Sequence, residues 1–93
     1  PTQYIKGCYV ENALIADGCV IKGKVKNSLL GRYVDIEDGA EIEDCIILQN
    51  IRIHKGAKLS HVIVDKNVDI EPETILKGNK VFPLVIEKKN LIK

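Results

Sequence analysis

The sequence predicts an all-β chain, a parallel β-helix of hexapeptide repeats with about four coils and a C-terminal closing strand. Three observations carry this expectation. Four segments align without gaps: Val10–Ile21, Val25–Ile36, Ile42–Ile53 and Leu59–Ile70. Each ends on isoleucine, and Ile36, Ile53 and Ile70 stand 17 residues apart. Repeats at a short fixed period mark stacked architectures, because one unit cannot bury its apolar side alone. Within the period, aliphatic anchors recur every six residues, as in Ile36, Ile42 and Leu48, then Ile53 and Leu59, then Ile70 and Leu76. A helix of 3.6 residues per turn cannot hold such positions on one face. Finally, 14 Ile and nine Val make up about a quarter of the 93 residues, and β-branched side chains favour strands.

Residues 1–7 form a segment leading into the repeats, with Tyr4 and Ile5 at the start of a first strand. The β-helix is expected over residues 8–76. Its unit has an aliphatic first position and a second inward position at its fifth, occupied by Ala40, Ile46, Ala57, Ile63 and Thr74. Three units, one of them shortened, make a coil of 17 residues, and the stretch between Ile21 and Val25 shortens an early coil to 15. Each side of the resulting triangular prism is a strand of about five residues. Four coils rise about 20 Å at the usual spacing of paired strands.

Corner residues recur at fixed places. Gly18, Tyr33, Asn50 and Asn67 share one column, and Gly39, Gly56 and Glu73 share another. Gly and Asn tolerate the left-handed backbone of a tight corner. Tyr33 and Glu73 depart from that rule, so their corners are either built differently or mildly strained. Pro72 also falls at a corner, where no ladder hydrogen bond is asked of it. Glu41, Glu43, Lys55 and Lys58 point outward, whereas Ile42, Ile47 and Ile53 point inward. Residues 77–93 leave the pattern; Val81–Ile86 reads as a strand covering the last coil, followed by a basic tail of Lys88, Lys89 and Lys93.

Composition narrows the function. Fourteen basic residues against 13 acidic ones, and only Tyr4, Tyr9, Tyr33 and Phe82 as aromatics, give no basic, stacking footprint for nucleic acid. No apolar run approaches the roughly 20 residues of a membrane-spanning helix. Cys8, Cys19 and Cys45 form no C-x-x-C pair and read as small buried hydrophobes of a reduced cytosol. A chain that starts at Pro1 and contains no Met is expected to be a fragment of a larger protein.

Spacing leaves the hand of the coil open, and parallel crossovers are right-handed as a general rule. A prism of hexapeptides, however, resembles the left-handed β-helix of acyltransferases, γ-class carbonic anhydrases and sugar nucleotidyltransferases. The phrases Val25-Lys-Asn-Ser-Leu-Leu30, Asp44-Cys-Ile-Ile-Leu-Gln-Asn50 and Val62-Ile-Val-Asp-Lys-Asn67 resemble the C-terminal domain of glucose-1-phosphate adenylyltransferase. The ending Leu76-Lys-Gly-Asn-Lys-Val-Phe-Pro-Leu-Val-Ile86 is most similar to the non-catalytic or weakly active companion subunit of that family in Gram-positive bacteria.

The resemblance implies a cytoplasmic module of glycogen synthesis that supports assembly and carries part of an allosteric effector site. Its partner would be a catalytic glucose-1-phosphate adenylyltransferase subunit, in a homo- or hetero-oligomer, with no nucleic acid and no membrane. The ATP and Mg²⁺ chemistry of the family belongs to an N-terminal nucleotidyltransferase domain whose glycine- and arginine-rich loop and metal-binding aspartates do not occur in these residues. One position carries over: Lys66 in Asp65-Lys-Asn67 matches a basic residue linked to effector-anion binding. Without the resemblance, Lys66 is an outward lysine on a strand.

Other chemistry has weaker candidates. His54 and His61 are the only histidines, too few for the three-His zinc site of a carbonic anhydrase. A hexapeptide acyltransferase would use one of them as general base and would want a long loop between coils, which the even repeat lacks. Both read as surface residues, His61 in a polar column with Asn12, Asn27 and Asp44. No Gly-rich phosphate loop appears. The acidic residues Asp35, Glu37, Asp38, Glu41, Glu43 and Asp44 spread over different faces, so no catalytic residue, metal site or cofactor is assigned to this chain.

Overall fold

A computed structural model describes residues 1–87. The proposed basic tail, Lys88, Lys89 and Lys93, lies outside the described residues. Fifteen short strands follow one another, and no helix occurs among the described residues. Strand β1 (Gln3–Tyr4) precedes four coils of three strands each. These are β2 (Tyr9–Glu11), β3 (Leu14–Ile15) and β4 (Val20–Ile21); then β5 (Lys24–Lys26), β6 (Leu29–Leu30) and β7 (Val34–Ile36). The third coil holds β8 (Glu41–Glu43), β9 (Ile46–Ile47) and β10 (Ile51–Ile53), and the fourth β11 (Lys58–Ser60), β12 (Val62–Val64) and β13 (Asp69–Ile70). Strands β14 (Ile75–Lys77) and β15 (Leu84–Ile86) complete the stack.

Every pairing is parallel, and each strand pairs with the strand one coil away. Three faces of five strands result: face A (β1, β4, β7, β10, β13), face B (β2, β5, β8, β11, β14) and face C (β3, β6, β9, β12, β15). The molecule is therefore a β-solenoid of roughly four turns. The ungapped alignment of the four segments is the register itself, since Val10 pairs with Val25, Val25 with Ile42 and Ile42 with Leu59.

The strands are only two or three residues long, not about five. The corners consume the rest. At the B–C corner Asn12, Asn27, Asp44 and His61 have φ of 51–56°. At the C–A corner Gly18, Tyr33, Asn50 and Asn67 are left-handed, and at the A–B corner Gly7, Gly39, Gly56 and Glu73 are. Tyr33 (φ 58°) and Glu73 (φ 63°) thus make the same turn as their glycine neighbours and carry the strain of a side chain in that region. The exception is the shortened A–B corner of the second coil. There Gly23 runs so close to the next coil that a Cβ would stand 2.4 Å from the Ala40 carbonyl oxygen.

The core is a set of vertical ladders. Ile21, Ile36, Ile53 and Ile70 line face A; Val25, Ile42 and Leu59 line face B; Leu30, Ile47 and Val64 line face C, all buried. Ser28 is the one buried polar side chain among the described residues. Its hydroxyl donates to the Lys26 carbonyl at 2.8 Å and accepts from the Cys45 N–H at 3.0 Å.

On face C the expected inward positions are corrected. Ile46 and Ile63 are not inside: Ile46 is 43% exposed, whereas Cys45 and Ile47 on either side are buried. The shortened unit is the reason. Ile36 to Ile42 is six residues, Ile42 to Ile47 five and Ile47 to Ile53 six, so Ile47 rather than Leu48 is the anchor. Successive side chains of a strand point to opposite sides, which sends Ile46 and its column outward. The closing strand is also shorter than Val81–Ile86. Val81 and Phe82 donate their N–H groups to the Asn79 side-chain oxygen in a bend and remain exposed. Strand β15 then joins the edge of face C beside β12, extending that sheet by one strand.

Candidate functional site

Three outer faces and three edges are available to a partner. Face A presents Asp35, Arg52 and Asp69, with an Arg52–Asp35 ion pair at 3.6 Å. Face B carries two charged rows, Tyr9, Lys24, Glu41, Lys58 on one side of its inner ladder and Glu11, Lys26, Glu43, Ser60, Lys77 on the other. Between them runs a shallow groove of about 300 Å³ lined by Tyr9, Lys24, Lys26, Glu41, Ile42 and Glu43. The Tyr9 hydroxyl donates to the Glu11 carboxylate, and that bond holds the phenol above its ordinary pKa.

Face C is different. Leu14, Leu29, Ile46, Ile63 and Val85 form one outward row, each paired with the next across the coils. Leu14 is 71% exposed and Val85 52%. Sequence reasoning missed this stripe although its signal was present. Positions five and six of every repeat are both aliphatic (Leu14-Ile15, Leu29-Leu30, Ile46-Ile47, Ile63-Val64), and neighbours on one strand cannot both point inward.

Lys66 sits on the C–A edge in the fourth coil. Its N–H donates to Asp65 Oδ1 at 2.8 Å, and the following Asn67 turns the corner at φ 59°. The edge column above it reads Gln49, Arg32, Asp17. Lys66 is exposed, and among the described residues no carboxylate lies within ion-pair distance of it.

The two histidines stand apart. His61 occupies the B–C corner with Nε2 at 3.6 Å from Asp44, so its column is a row of turn residues. His54 lies where face A turns into face B, with Nδ1 at 3.5 Å from Glu37 and Nε2 at 3.7 Å from Asp69. No group of three or more His, Cys, Asp or Glu placed to hold a metal occurs among the described residues. Cys19 and Cys45 are buried and Cys8 half-buried, all unpaired thiols. Burial pushes the Cys45 thiol above its ordinary pKa, against the opposing pull of backbone hydrogen bonds at Val62 and Glu43. No helix of the described residues is long and apolar enough to cross a membrane.

The family profile described as "GlmU-like, C-terminal hexapeptide" matches residues 3–81, nearly the whole solenoid. The chain belongs to this hexapeptide family. Within it, the chain is similar to glucose-1-phosphate adenylyltransferase of Corynebacterium jeikeium (strain K411), 38% identical over 77 residues, which are 82% of this chain and 19% of that protein. It is also 37% identical over 81 residues to the proteins of the same name from Bacillus thuringiensis (strain Al Hakam) and Bacillus mycoides (strain KBAB4), 86% of this chain and 22% of each of those. The likeness is to the C-terminal part of those proteins. This hexapeptide chain thus spans about one fifth of the length of the curated relatives it matches.

Proposed function

We propose that the chain is the C-terminal assembly and regulatory domain of a glucose-1-phosphate adenylyltransferase-type subunit, of the non-catalytic companion kind, working in cytoplasmic glycogen synthesis. The observation that supports the parent family is the 37–38% identity with proteins named glucose-1-phosphate adenylyltransferase over more than four fifths of the chain; the companion kind is proposed on the likeness of the ending, residues 76–86, alone. The parent reaction would join ATP and glucose 1-phosphate to give ADP-glucose and pyrophosphate, with Mg²⁺, in a nucleotidyltransferase domain or partner subunit. The solenoid contributes surfaces to that assembly. Face C offers an apolar one, and the C–A edge offers the exposed ammonium of Lys66, proposed here as a contact for an effector anion.

The test is reconstitution. The tagged chain is co-expressed with a catalytic glucose-1-phosphate adenylyltransferase subunit and purified, and pyrophosphate release is followed with and without a sugar-phosphate effector. The chain alone releases none; the complex forms and its effector response exceeds that of the catalytic subunit alone. Lys66→Ala lowers that response several-fold without preventing co-purification. Failure to co-purify, together with an unchanged effector response, overturns the reading.

A further inference from the structure

We infer that the groove where face A meets the C–A edge binds a neutral sugar ring, with Tyr33 as the platform the ring lies against and Asp35, Asn50, Arg52 and Asp69 as partners of its hydroxyls. The inference stands on this groove and does not depend on the assembly reading.

The first support is Tyr33 itself. At its place on the corner the other coils carry Gly18, Asn50 and Asn67, residues that tolerate a left-handed backbone. A tyrosine at φ 58° is strained. Burial does not offset that strain, because Tyr33 is 59% exposed. Strain held without a packing gain clusters at ligand sites. Strain alone makes no site, since Glu73 bears it as well. What sets Tyr33 apart is its surroundings. The ring lies over Gly18, where a Cβ would stand 2.5 Å from Cδ1 and Cε1, so the bare backbone of the first coil seats it. The ring also borders a groove of about 180 Å³, lined besides by Asp35, Asn50, Ile51, Arg52 and Asp69.

The second support is the set of polar groups in that groove. Asp35, Arg52 and Asp69 follow one another in the outward row of face A, one per coil. Asn50 turns the corner in the coil after Tyr33, at φ 57°. Parallel pairing spaces these rungs by about 4.8 Å. Together they offer carboxylate acceptors, guanidinium donors and an amide that does both. A sugar hydroxyl also donates and accepts. A pyranose chair presents C–H groups on its faces and hydroxyls around its rim, so one ring can lie against Tyr33 while its rim meets the strands. An aromatic wall with a few convergent polar groups is the make-up of a small-molecule site. Tyrosine supplies a large, rigid contact at little cost in side-chain entropy.

The third support is charge, which selects the ligand class. Two carboxylates against one guanidinium leave the groove with an excess negative charge, and Arg52 Nη2 already stands 3.6 Å from Asp35 Oδ2. A phosphate or nucleotide would bring like charges against Asp35 and Asp69. A basic peptide would meet Arg52 in the middle of the row. A neutral ring meets neither penalty. Contact with one or two rings makes the binding weak, with a Kd of about 1–10 mM.

Titration of the ¹⁵N-labelled chain, followed by amide chemical shifts, tests the proposal. The probes are glucose, maltoheptaose, cellohexaose and glucose 1-phosphate. Saturable shifts centred on the amides of Tyr33, Asn50 and Arg52 are expected with the neutral sugars. Equal affinity for glucose and maltoheptaose assigns a single ring; tighter binding of maltoheptaose or of cellohexaose assigns a chain and its linkage. Glucose 1-phosphate binds at least 3-fold more weakly than glucose. Tyr33→Asn, which gives this corner the residue of the next two coils, weakens sugar binding at least 10-fold without lowering the urea midpoint of the chain. Asp69→Asn narrows the gap between glucose and glucose 1-phosphate. Absence of saturable shifts with all three neutral sugars at about 20 mM overturns the proposal. So do shifts unchanged by Tyr33→Asn, or glucose 1-phosphate binding as tightly as glucose. Failure to co-purify with a catalytic subunit removes the assembly reading and leaves this site standing, and loss of sugar binding does the reverse.

Discussion

Faces B and C are built from the same short parallel strands, in the same register, over inner ladders of the same aliphatic kind, yet they show water opposite chemistry. On face B the outward rows run Lys24, Glu41, Lys58 and Glu11, Lys26, Glu43, so neighbouring coils present alternating charge. On face C the outward row is Leu14, Leu29, Ile46, Ile63 and Val85. Stacking explains the inside of both faces, because each ladder must exclude water from the prism. It leaves the outside free. Alternating charge keeps face B wetted and lets its coils attract one another weakly. The apolar row of face C contributes little to the isolated chain, since its side chains remain exposed, and makes physical sense when another surface covers it.

The largest expected effect separates the two sides of one strand. Ile47→Ala removes a fully buried rung of face C and costs about 2–5 kcal/mol. Ile46→Ala, one residue earlier and 43% exposed, costs about 0.5 kcal/mol or less in the monomer. Urea denaturation at low protein concentration measures both, and equal costs would contradict the inward and outward assignment.

Next in size is the corner that feeds face B in the second coil. Gly23→Ala brings a methyl to 2.4 Å from the Ala40 carbonyl oxygen and destabilises the chain by about 1–3 kcal/mol. Gly39→Ala, at the regular corner one coil later, meets nothing nearer than 3.6 Å and costs only the strain of φ 76°, about 1 kcal/mol. The same denaturation series ranks them.

A smaller effect probes the charge rows of face B. Glu41→Lys places three lysines in successive coils, Lys24, the new residue and Lys58, and costs about 0.5–1 kcal/mol. The loss shrinks when salt is raised from 50 mM to 1 M, since the groups are exposed. Ile46→Lys on face C shows no such salt dependence in the monomer, having no neighbouring charge in its row.

The smallest effect is a pH dependence from the inner side of face C. Burial raises the Cys45 thiol pKa in the folded chain. Its stabilising contribution is therefore complete below the ordinary thiol range, about pH 8.5, and is lost as pH rises through the folded pKa, because the unfolded chain ionises first. Between pH 8 and 10 the denaturation midpoint of the chain is expected to fall more steeply than that of Cys45→Ala. Parallel slopes would show that the thiol is not desolvated.

Much of the architecture was legible in the residues. The aligned segments fixed the pairing register, and the Gly and Asn columns marked two corners. The third corner was visible as the polar column Asn12, Asn27, Asp44 and His61 but was ambiguous, because asparagine, aspartate and histidine suit an exposed strand as well as a left-handed turn. The candidate site was less legible. Lys66 rested on a likeness of phrase. The apolar stripe of face C was hidden by the six-residue period, which drew Ile46 and Ile63 inward although the five-residue unit before Ile47 shifts them out.

The sequence by itself determined that this chain stacks. A short repeat of β-branched residues broken at fixed positions by left-handed formers can bury its apolar side only against copies of itself. The tertiary structure decided which of two adjacent aliphatic positions faces water, which charges share an edge, and where the backbone of one coil touches the next. Those outcomes depend on the direction of a side chain at a corner and on distances across coils, and the order of residues along the chain sets neither until the coils have closed on one another.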